Sequence, residues 1–537
     1  MIGRPLPLAA PRSSIAPNPN TVATSTGNSF ADFLLGRFSS FLQGSGEFKN
    51  TRYNHIAVFA EDTWKVNTRL VLDLGFRYEP FFPYYDLHNK LAAWRPGQQS
   101  TIFTNAPVGV VFPGDRGIPK GAFNKSWGNV GPRLGFAYDV AGAGKTSIKG
   151  GFGIFYDLPN TITTNNMTDQ APFAPVITLT GTSQNNVQNP YGGTTNPFPY
   201  PTFPTGAPPL PSSNFVFPAY TNQFLYSANM RNGYVESWNL QVQQELGWST
   251  VFSVAYAGSV GVHLPVVREL NPAVYIPGSS TTANTNQRRP LGPALGSTSL
   301  LAPIAHSNYN AVQFNVERHF QKNFSLMANY SFSKAMDISS QPKETGQSIT
   351  IPSNPNFDYG PADYDRRHVA NVSTVWAIPS PRSNLLMREV LGGWEYTMIL
   401  NYTGGYPFSV YSGQDNALTG TANQRANFVP GQAVKLNKPS ASEWFNKAAF
   451  VVNPIGTYGD TGRNANRGPG YTDFDMGLMK RFQIKDRLNT TFRFETFNVF
   501  NHTNLGLPSN TVTNGNFSQI TSSYDPRILQ FALRFNW

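Results

Sequence analysis

Apolar and polar residues alternate with a period of two along much of this chain. The last eleven residues, Arg527 to Trp537, show it most plainly. Leu529, Phe531, Leu533, Phe535 and Trp537 fall on one face of a strand, and Ile528, Gln530, Ala532, Arg534 and Asn536 on the other. Eleven residues is about the length a tilted strand needs to cross a bilayer. Taken alone, the stretch also fits a half-buried terminal strand of a soluble sheet, and only repetition along the chain separates the two.

The pattern does repeat. It predicts a strand over 51–65 with Ile56, Val58, Ala60 and Trp64 on one side, a tight turn at 66–69, and a return strand over 70–79. In the return strand Leu70, Leu72, Leu74, Phe76 and Tyr78 share one face, and Val71, Asp73, Gly75, Arg77 and Glu79 the other. Isolated charges are costly against a packed core, whereas a solvated second face accommodates them. A hairpin over 130–139 and 146–157 turns Leu134, Phe136, Tyr138, Ile148, Phe152, Ile154 and Tyr156 one way, and Arg133, Gly135 and Asp139 the other. Further strands are predicted near 232–247, 250–262, 308–319, 323–337, 366–377, 393–402, 471–482 and 487–500. A link through 503–525 then leads to the terminal strand.

About 13 strands result, with short turns at one end and loops of about 20 to 75 residues at the other. A soluble sandwich or propeller has no reason to collect its long loops at one end, and long structureless loops argue against a compact soluble domain. The fold class expected is all-β, an antiparallel transmembrane β-barrel of the outer-membrane kind, over residues 51–537. Residues 1–50 form a Pro/Ser/Asn-rich segment with a short apolar patch, Phe30 to Gly36, enough for one amphipathic turn or a strand edge. The first and the last strand both run toward the short-turn end. Closed bacterial barrels have an even strand number and tolerate no bare edges in lipid, so the chain is expected to be the C-terminal part of a larger barrel.

Composition sharpens this picture. Charged residues make up 13% and aromatics 14%, with 40 Phe and 24 Tyr; 47 Gly and 43 Pro supply turns and loops. No stretch approaches a transmembrane helix. The absence of cysteine excludes disulfides, thiolate metal sites and cysteine nucleophiles. The net charge of +11 is scattered rather than gathered in a stripe, which argues against nucleic acid; a positively lined pore or an anionic lipopolysaccharide surface accounts for it. Residues 1–20 lack an apolar h-region and carry Pro5, Pro7, Pro11, Pro17 and Pro19, so they are not a secretory signal peptide. The natural chain of an outer-membrane protein is therefore expected to start upstream.

The strand sequences resemble a known family. Ala31-Asp-Phe-Leu-Leu-Gly36, Val58-Phe-Ala-Glu-Asp-Thr-Trp64, Leu70-Val-Leu-Asp-Leu-Gly-Phe-Arg-Tyr-Glu79 and Asn129-Val-Gly-Pro-Arg-Leu-Gly-Phe-Ala-Tyr138 resemble the TonB-dependent receptor barrel in its Oar-like subgroup. So do Gly462-Arg-Asn-Ala-Asn-Arg-Gly-Pro-Gly470, Arg493-Phe-Glu-Thr-Phe-Asn-Val-Phe-Asn501 and Asp525-Pro-Arg527. The resemblance covers about residues 30–537 and is specific in the hairpins. It implies a barrel of about 22 strands, a plug domain, and energy supplied by the TonB complex through N-terminal parts that this sequence does not show. It also implies that the terminal aromatics Phe535 and Trp537 form the signal read by the barrel-assembly machinery.

Motifs for chemistry are weak. Gly142-Ala-Gly-Lys-Thr146 lacks the earlier glycine of a phosphate loop and joins two strands, so it reads as a hairpin turn. Asp363-Tyr-Asp365-Arg-Arg-His368 reads as solvated rim or salt-bridge residues at a loop-to-strand junction. His55, His306, His319 and His368 have no metal-ligand spacing, and no G-x-S-x-G is present. No enzyme, metal site or cofactor is expected. Arg77, Glu79, Arg133, Lys149, Arg493, Glu495 and Arg534 are expected to face the lumen, either along a substrate path or against a plug, or simply as paired charges on a wet wall. Trp94, Trp127, Phe198, Tyr200 and Phe203 are loop aromatics able to contact a ligand, or to form an interfacial girdle. The function expected is active uptake of a large or scarce nutrient of unknown identity across the outer membrane, with lipid and lipopolysaccharide around the wall. Surface adhesion through the long loops, and a soluble glycan-binding protein, are the alternatives.

Overall fold

The computed structural model of the chain describes residues 26–44, 49–157, 161–180, 185–193, 211–340, 349–381, 385–421, 424–485 and 488–536. Its frame is a wall of long strands: β1 (Val58–Lys65), β2 (Leu70–Tyr78), β3 (Val130–Asp139), β4 (Thr146–Tyr156), β5 (Tyr234–Gly247), β6 (Thr250–Glu269), β7 (Leu295–Gln321), β8 (Phe324–Asp337), β9 (His368–Ala377), β10 (Trp394–Thr403), β11 (Tyr471–Lys485), β12 (Leu488–Phe497) and β13 (Ile528–Asn536). Each is antiparallel to the next in sequence, without a break from β1 to β13.

The registers turn the alternation in sequence into two continuous faces. Trp64 lies opposite Leu72, Leu72 opposite Phe136, Leu134 opposite Phe152, and Phe494 opposite Phe531. Leu74, Leu134, Leu240, Phe332 and Phe531 are exposed although apolar. An apolar surface this extensive is the belt that lipid covers in an outer-membrane barrel. No described helix is long and apolar enough to cross a membrane.

Turn chemistry closes the hairpins at one end. Trp248 (φ 49°) and Ser249 (φ 55°) join β5 to β6, and Lys322 (φ 50°) and Asn323 (φ 66°) join β7 to β8. Two successive residues with positive φ match the right-handed twist of the strands they connect. Between β3 and β4 the carboxylate of Asp139 accepts the Gly142 and Gly144 amides at 3.0 and 2.8 Å. The glycine amides that a phosphate loop would offer a ligand are thus spent on the chain's own side chain. The exception at this end is the link between β9 and β10, which carries a helix, Leu385–Leu391.

At the other end β6 and β7 run to 20 and 27 residues, far beyond what a bilayer requires. Their extensions carry the long loops, and the buried hydrophobic clusters lie in and around them. One gathers Phe81, Leu91, Val111, Phe123, Tyr226 and Leu301; a second Phe103, Val110, Phe112, Leu225, Leu295 and Leu300; a third Phe408, Val410, Phe445 and Phe450. The short strand Thr221–Ser227 pairs in parallel with the β7 extension and, at Tyr226, with Ala93. The long loops therefore fold into a packed body above the wall.

One strand expectation needs correcting. The run 51–65 is not continuous: Thr51–Arg52 pairs with Tyr85–Asp86, and β1 begins only at Val58. Tyr53 stacks on Tyr84 with ring centroids 4.5 Å apart and packs against the first loop cluster, which draws the segment, Ile56 included, off the wall. The patch at Phe30 is a turn of helix, Ser29–Leu34, capped by the Asn28 side chain.

Candidate functional site

The wall's second face is polar, and the sequence-derived candidates on it share that face by register. Gly75 of β2 and Gly153 of β4 lie opposite Arg133, and Arg77 lies opposite Phe59. Arg77 Nε donates to Glu79 at 2.6 Å, and His55 Nε2 lies 3.2 Å from the other Glu79 oxygen. The Arg133 guanidinium sits 5.3 Å from the Phe155 ring centre. Lys149 donates to Gln243 at 3.1 Å, Arg493 to Glu495 at 2.5 Å, and Arg534 to Asn536 at 3.1 Å. The structure brings these groups together as local pairs and not as one convergent cluster.

Sequence reasoning missed the most continuous feature of this face. Ser147, Gln243, Ser253, Asn315, Asn329, Asn371, Asn401 and Asp473 are cross-strand partners in succession from β4 to β11. Asn315 donates to Asn329 at 2.5 Å and Asn371 to Asn401 at 2.7 Å. Ser147 is the second residue of β4, near the short-turn end, and Asp473 the third of β11, near the long-loop end. Strand tilt thus makes the row climb the wall. Its only sequence signal is one polar residue in each strand, and that becomes a row only when the register is known.

Above the wall, buried ion pairs fasten the loops. Arg463 Nη1 reaches Asp337 at the top of β8 at 2.6 Å, while Nη2 reaches Ser340 at 2.9 Å and Asp363 at 3.1 Å. Arg467 pairs with Asp365, which is buried and also accepts the Ala335 amide at 2.6 Å. Arg425 pairs with Asp358 in full burial, its guanidinium 4.0 Å from the Phe357 ring centre. Glu269 takes Asn271 N, Thr298 N and Ser297 Oγ at 2.6–2.8 Å and faces Arg289 at 3.2 Å. Such pairs repay desolvation only when the remaining donors and acceptors are satisfied, as they are here. Of the two readings of Asp363 to His368, solvated rim or salt-bridge residues, Asp365 takes the second: it is buried and paired with Arg467. Among the described residues no group of three His, Asp or Glu side chains is placed to hold a metal ion.

The loop aromatics divide. Trp94 packs against the second loop cluster and over Gly109, where an added Cβ would strike its ring. Trp127 is 60% exposed and meets Phe82 edge-on at 5.5 Å. Phe198, Tyr200 and Phe203 lie outside the described residues, as does Trp537. Phe535 is exposed on the lipid-facing side of β13, opposite Thr490.

A thirteen-strand antiparallel wall, apolar outside and polar inside, with short turns at one end and a packed loop body at the other, defines an outer-membrane β-barrel. The chain belongs to the outer membrane beta barrel domain family, whose model matches residues 11–530. Solved structures similar to it include the outer membrane transporter YddB from Escherichia coli (10% identity, TM-score 0.46), the ferric enterobactin receptor PfeA from Pseudomonas aeruginosa (10%, 0.40) and the FrpB iron transporter from Neisseria meningitidis (9%, 0.38). Each comparison covers 89% of this chain and 44% of the other, so the chain spans less than half the length of these proteins. No curated protein matches it.

Proposed function

We propose that this wall and its loop body belong to a TonB-dependent receptor of the Oar-like kind, which takes up a large or scarce nutrient across the outer membrane. The observation that carries the reading is the in-register polar row climbing from Ser147 to Asp473 beneath an ordered loop body. Carboxamides donate and accept without fixed charge, so a polar solute can exchange partners along the row without being trapped by a single strong ion pair. The hairpin sequences that resemble the TonB-dependent barrel support the same reading. Carbohydrate, peptide and metal chelate remain the nutrient classes. TonB would act through parts of the family architecture other than this wall.

The test is nutrient uptake by cells that carry or lack the protein. Uptake that needs the protein, and that stops on collapse of the proton-motive force or on deletion of TonB, supports the proposal. Unchanged uptake with loss of surface attachment favours adhesion through the loop body instead.

A further inference from the structure

The link between β9 and β10 is the one described connection at the short-turn end that carries a helix, and the contacts of that helix place it on the outer side of the wall. Its residues are Leu385–Leu391; as the third helix of the chain, after Ser29–Leu34 (α1) and Thr161–Thr168 (α2), it is α3. Lys480 of β11 lies opposite Trp394 and Phe492, on the face that carries Leu478 and Phe494. Its side chain is buried, and its ammonium donates to the carbonyls of Glu389 and Val390 near the C-terminus of α3. The Trp394 indole donates to the same Val390 carbonyl at 3.0 Å. A bare ammonium on a lipid-facing surface is expensive. Here the helix end satisfies it, and the rings of Trp394 and Phe482 flank it with centroids 5.4 and 4.9 Å away.

What α3 shows to its surroundings is apolar on one side. Met387, Val390 and Leu391 stand at i, i+3 and i+4 and are 50, 56 and 52% exposed. Glu389 points the other way, with its side chain 69% exposed, and Arg388 lies beside it with Nε 3.7 Å from the Glu389 carboxylate. The level of the helix is marked independently by tryptophans. Trp64 and Trp376, each one residue from the lower end of its strand, are exposed on the lipid-facing side, and Trp394 begins β10. Tryptophan in that position marks the boundary between acyl chains and headgroups.

We propose that α3 is an interfacial anchor. It lies along the outer wall in the headgroup zone of the periplasmic leaflet, with Met387, Val390 and Leu391 dipping among the acyl chains. The surface it binds is lipid and not a periplasmic protein. Its apolar side continues the lipid-covered belt of β10 and β11, and its attachment through Lys480 and Trp394 is on that belt. The proposal rests on the outer-membrane barrel and is independent of the uptake reading.

The chain has no cysteine, so single substitutions carry a probe at one place. Val390→Cys in the full chain, labelled with an environment-sensitive fluorophore and reconstituted in vesicles of brominated phosphatidylcholine, is compared with Leu240→Cys on the lipid-facing wall and Ser249→Cys in the β5–β6 turn. The expected result is blue-shifted emission at position 390, quenched more by bromines near the glycerol than by bromines near the chain ends. The Leu240 probe should show the opposite order, and the Ser249 probe little quenching. Emission at 390 that matches Ser249 would overturn the proposal by placing α3 in the aqueous periplasm. Quenching with the Leu240 order would overturn it by placing α3 in the hydrocarbon core. An unquenched Leu240 probe would overturn the barrel placement itself, and the anchor with it.

Discussion

Arg463 Nη1 stands 2.6 Å from Asp337 Oδ1, joining the top of β8 to a loop more than a hundred residues further along the chain. The same guanidinium also reaches the Asp337 carbonyl, Ser340 and Asp363, so one side chain gathers the end of a membrane strand and two long loops. Removing it leaves the buried Asp337 carboxylate without its cation. Arg463→Ala should therefore destabilise the loop body by about 3–5 kcal/mol, the range for breaking a buried pair on one side. Limited proteolysis checks this: cleavage within 349–367 and 404–470 should accelerate, while the strands remain protected in detergent.

Gly405 and Gly468 are backbone neighbours where two arms of the 404–470 loop cross. A Cβ on Gly405 would overlap the Gly468 carbonyl, and main chain yields less readily than a side-chain end. Gly405→Ala is expected to cost about 1–3 kcal/mol and to loosen Arg467, which donates to the Gly405 carbonyl at 3.2 Å. Thermal unfolding of the loop body should shift downward, with far smaller change for Gly515→Ala, where a Cβ meets open space and φ is not positive.

Asp115 organises the turn between two parts of the first long loop. Burial pushes its carboxyl up, but hydrogen bonds from the Phe112 amide, Ser100, and the Thr101 amide and hydroxyl outweigh it and hold the group below the usual carboxylate range. A depressed folded-state value means the stabilisation is complete above the ordinary carboxylate pKa of about 4 and is lost as pH falls through the depressed value. Hydrogen-exchange protection factors in 99–118, with the intrinsic pH dependence of exchange divided out, should fall as pH drops from about 5 to about 2. In Asp115→Asn that pH dependence should be gone, and exchange at neutral pH should already be faster.

Leu240 and Gln241 are adjacent in β5 but face opposite ways. Leu240 lies opposite Tyr256 among exposed apolar side chains, and Gln241 opposite Ala255 on the polar face. Leu240→Arg should cost about 2–4 kcal/mol near the bilayer midplane, whereas Gln241→Arg should cost little. Guanidinium unfolding from vesicles measures the difference.

The wall was legible because strand period is local. Alternation at Leu70 to Glu79 or Phe324 to Ser333 is visible without knowing any partner. The loop body was not, for two physical reasons. Its charge pairs, such as Arg425 with Asp358 and Arg467 with Asp365, lie 67 and 102 residues apart in sequence, and no local pattern couples such positions. Its cores are built from short apolar runs, such as Val110-Val111-Phe112, which carry no period. Asp365 looked like any other charge at a loop-to-strand junction; only the fold of Gly462 to Gly470 over it shows it buried and paired with Arg467. The polar row was hidden in the same way, since each of its residues is an ordinary inward position until the registers align them. In the β9–β10 link the apolar residues Met387, Val390 and Leu391 gave no clear sign of a helix, because about two turns are too few to establish a period.

The central claim is that one face of this wall meets lipid and the other water. Single cysteines introduced at 238 through 243 of β5, in cells, and challenged with a membrane-impermeant maleimide, test it most directly. The account predicts labelling at Asn239→Cys, Gln241→Cys and Gln243→Cys, and protection at Trp238→Cys, Leu240→Cys and Val242→Cys. Uniform labelling along the strand, or labelling in the opposite phase, would contradict it.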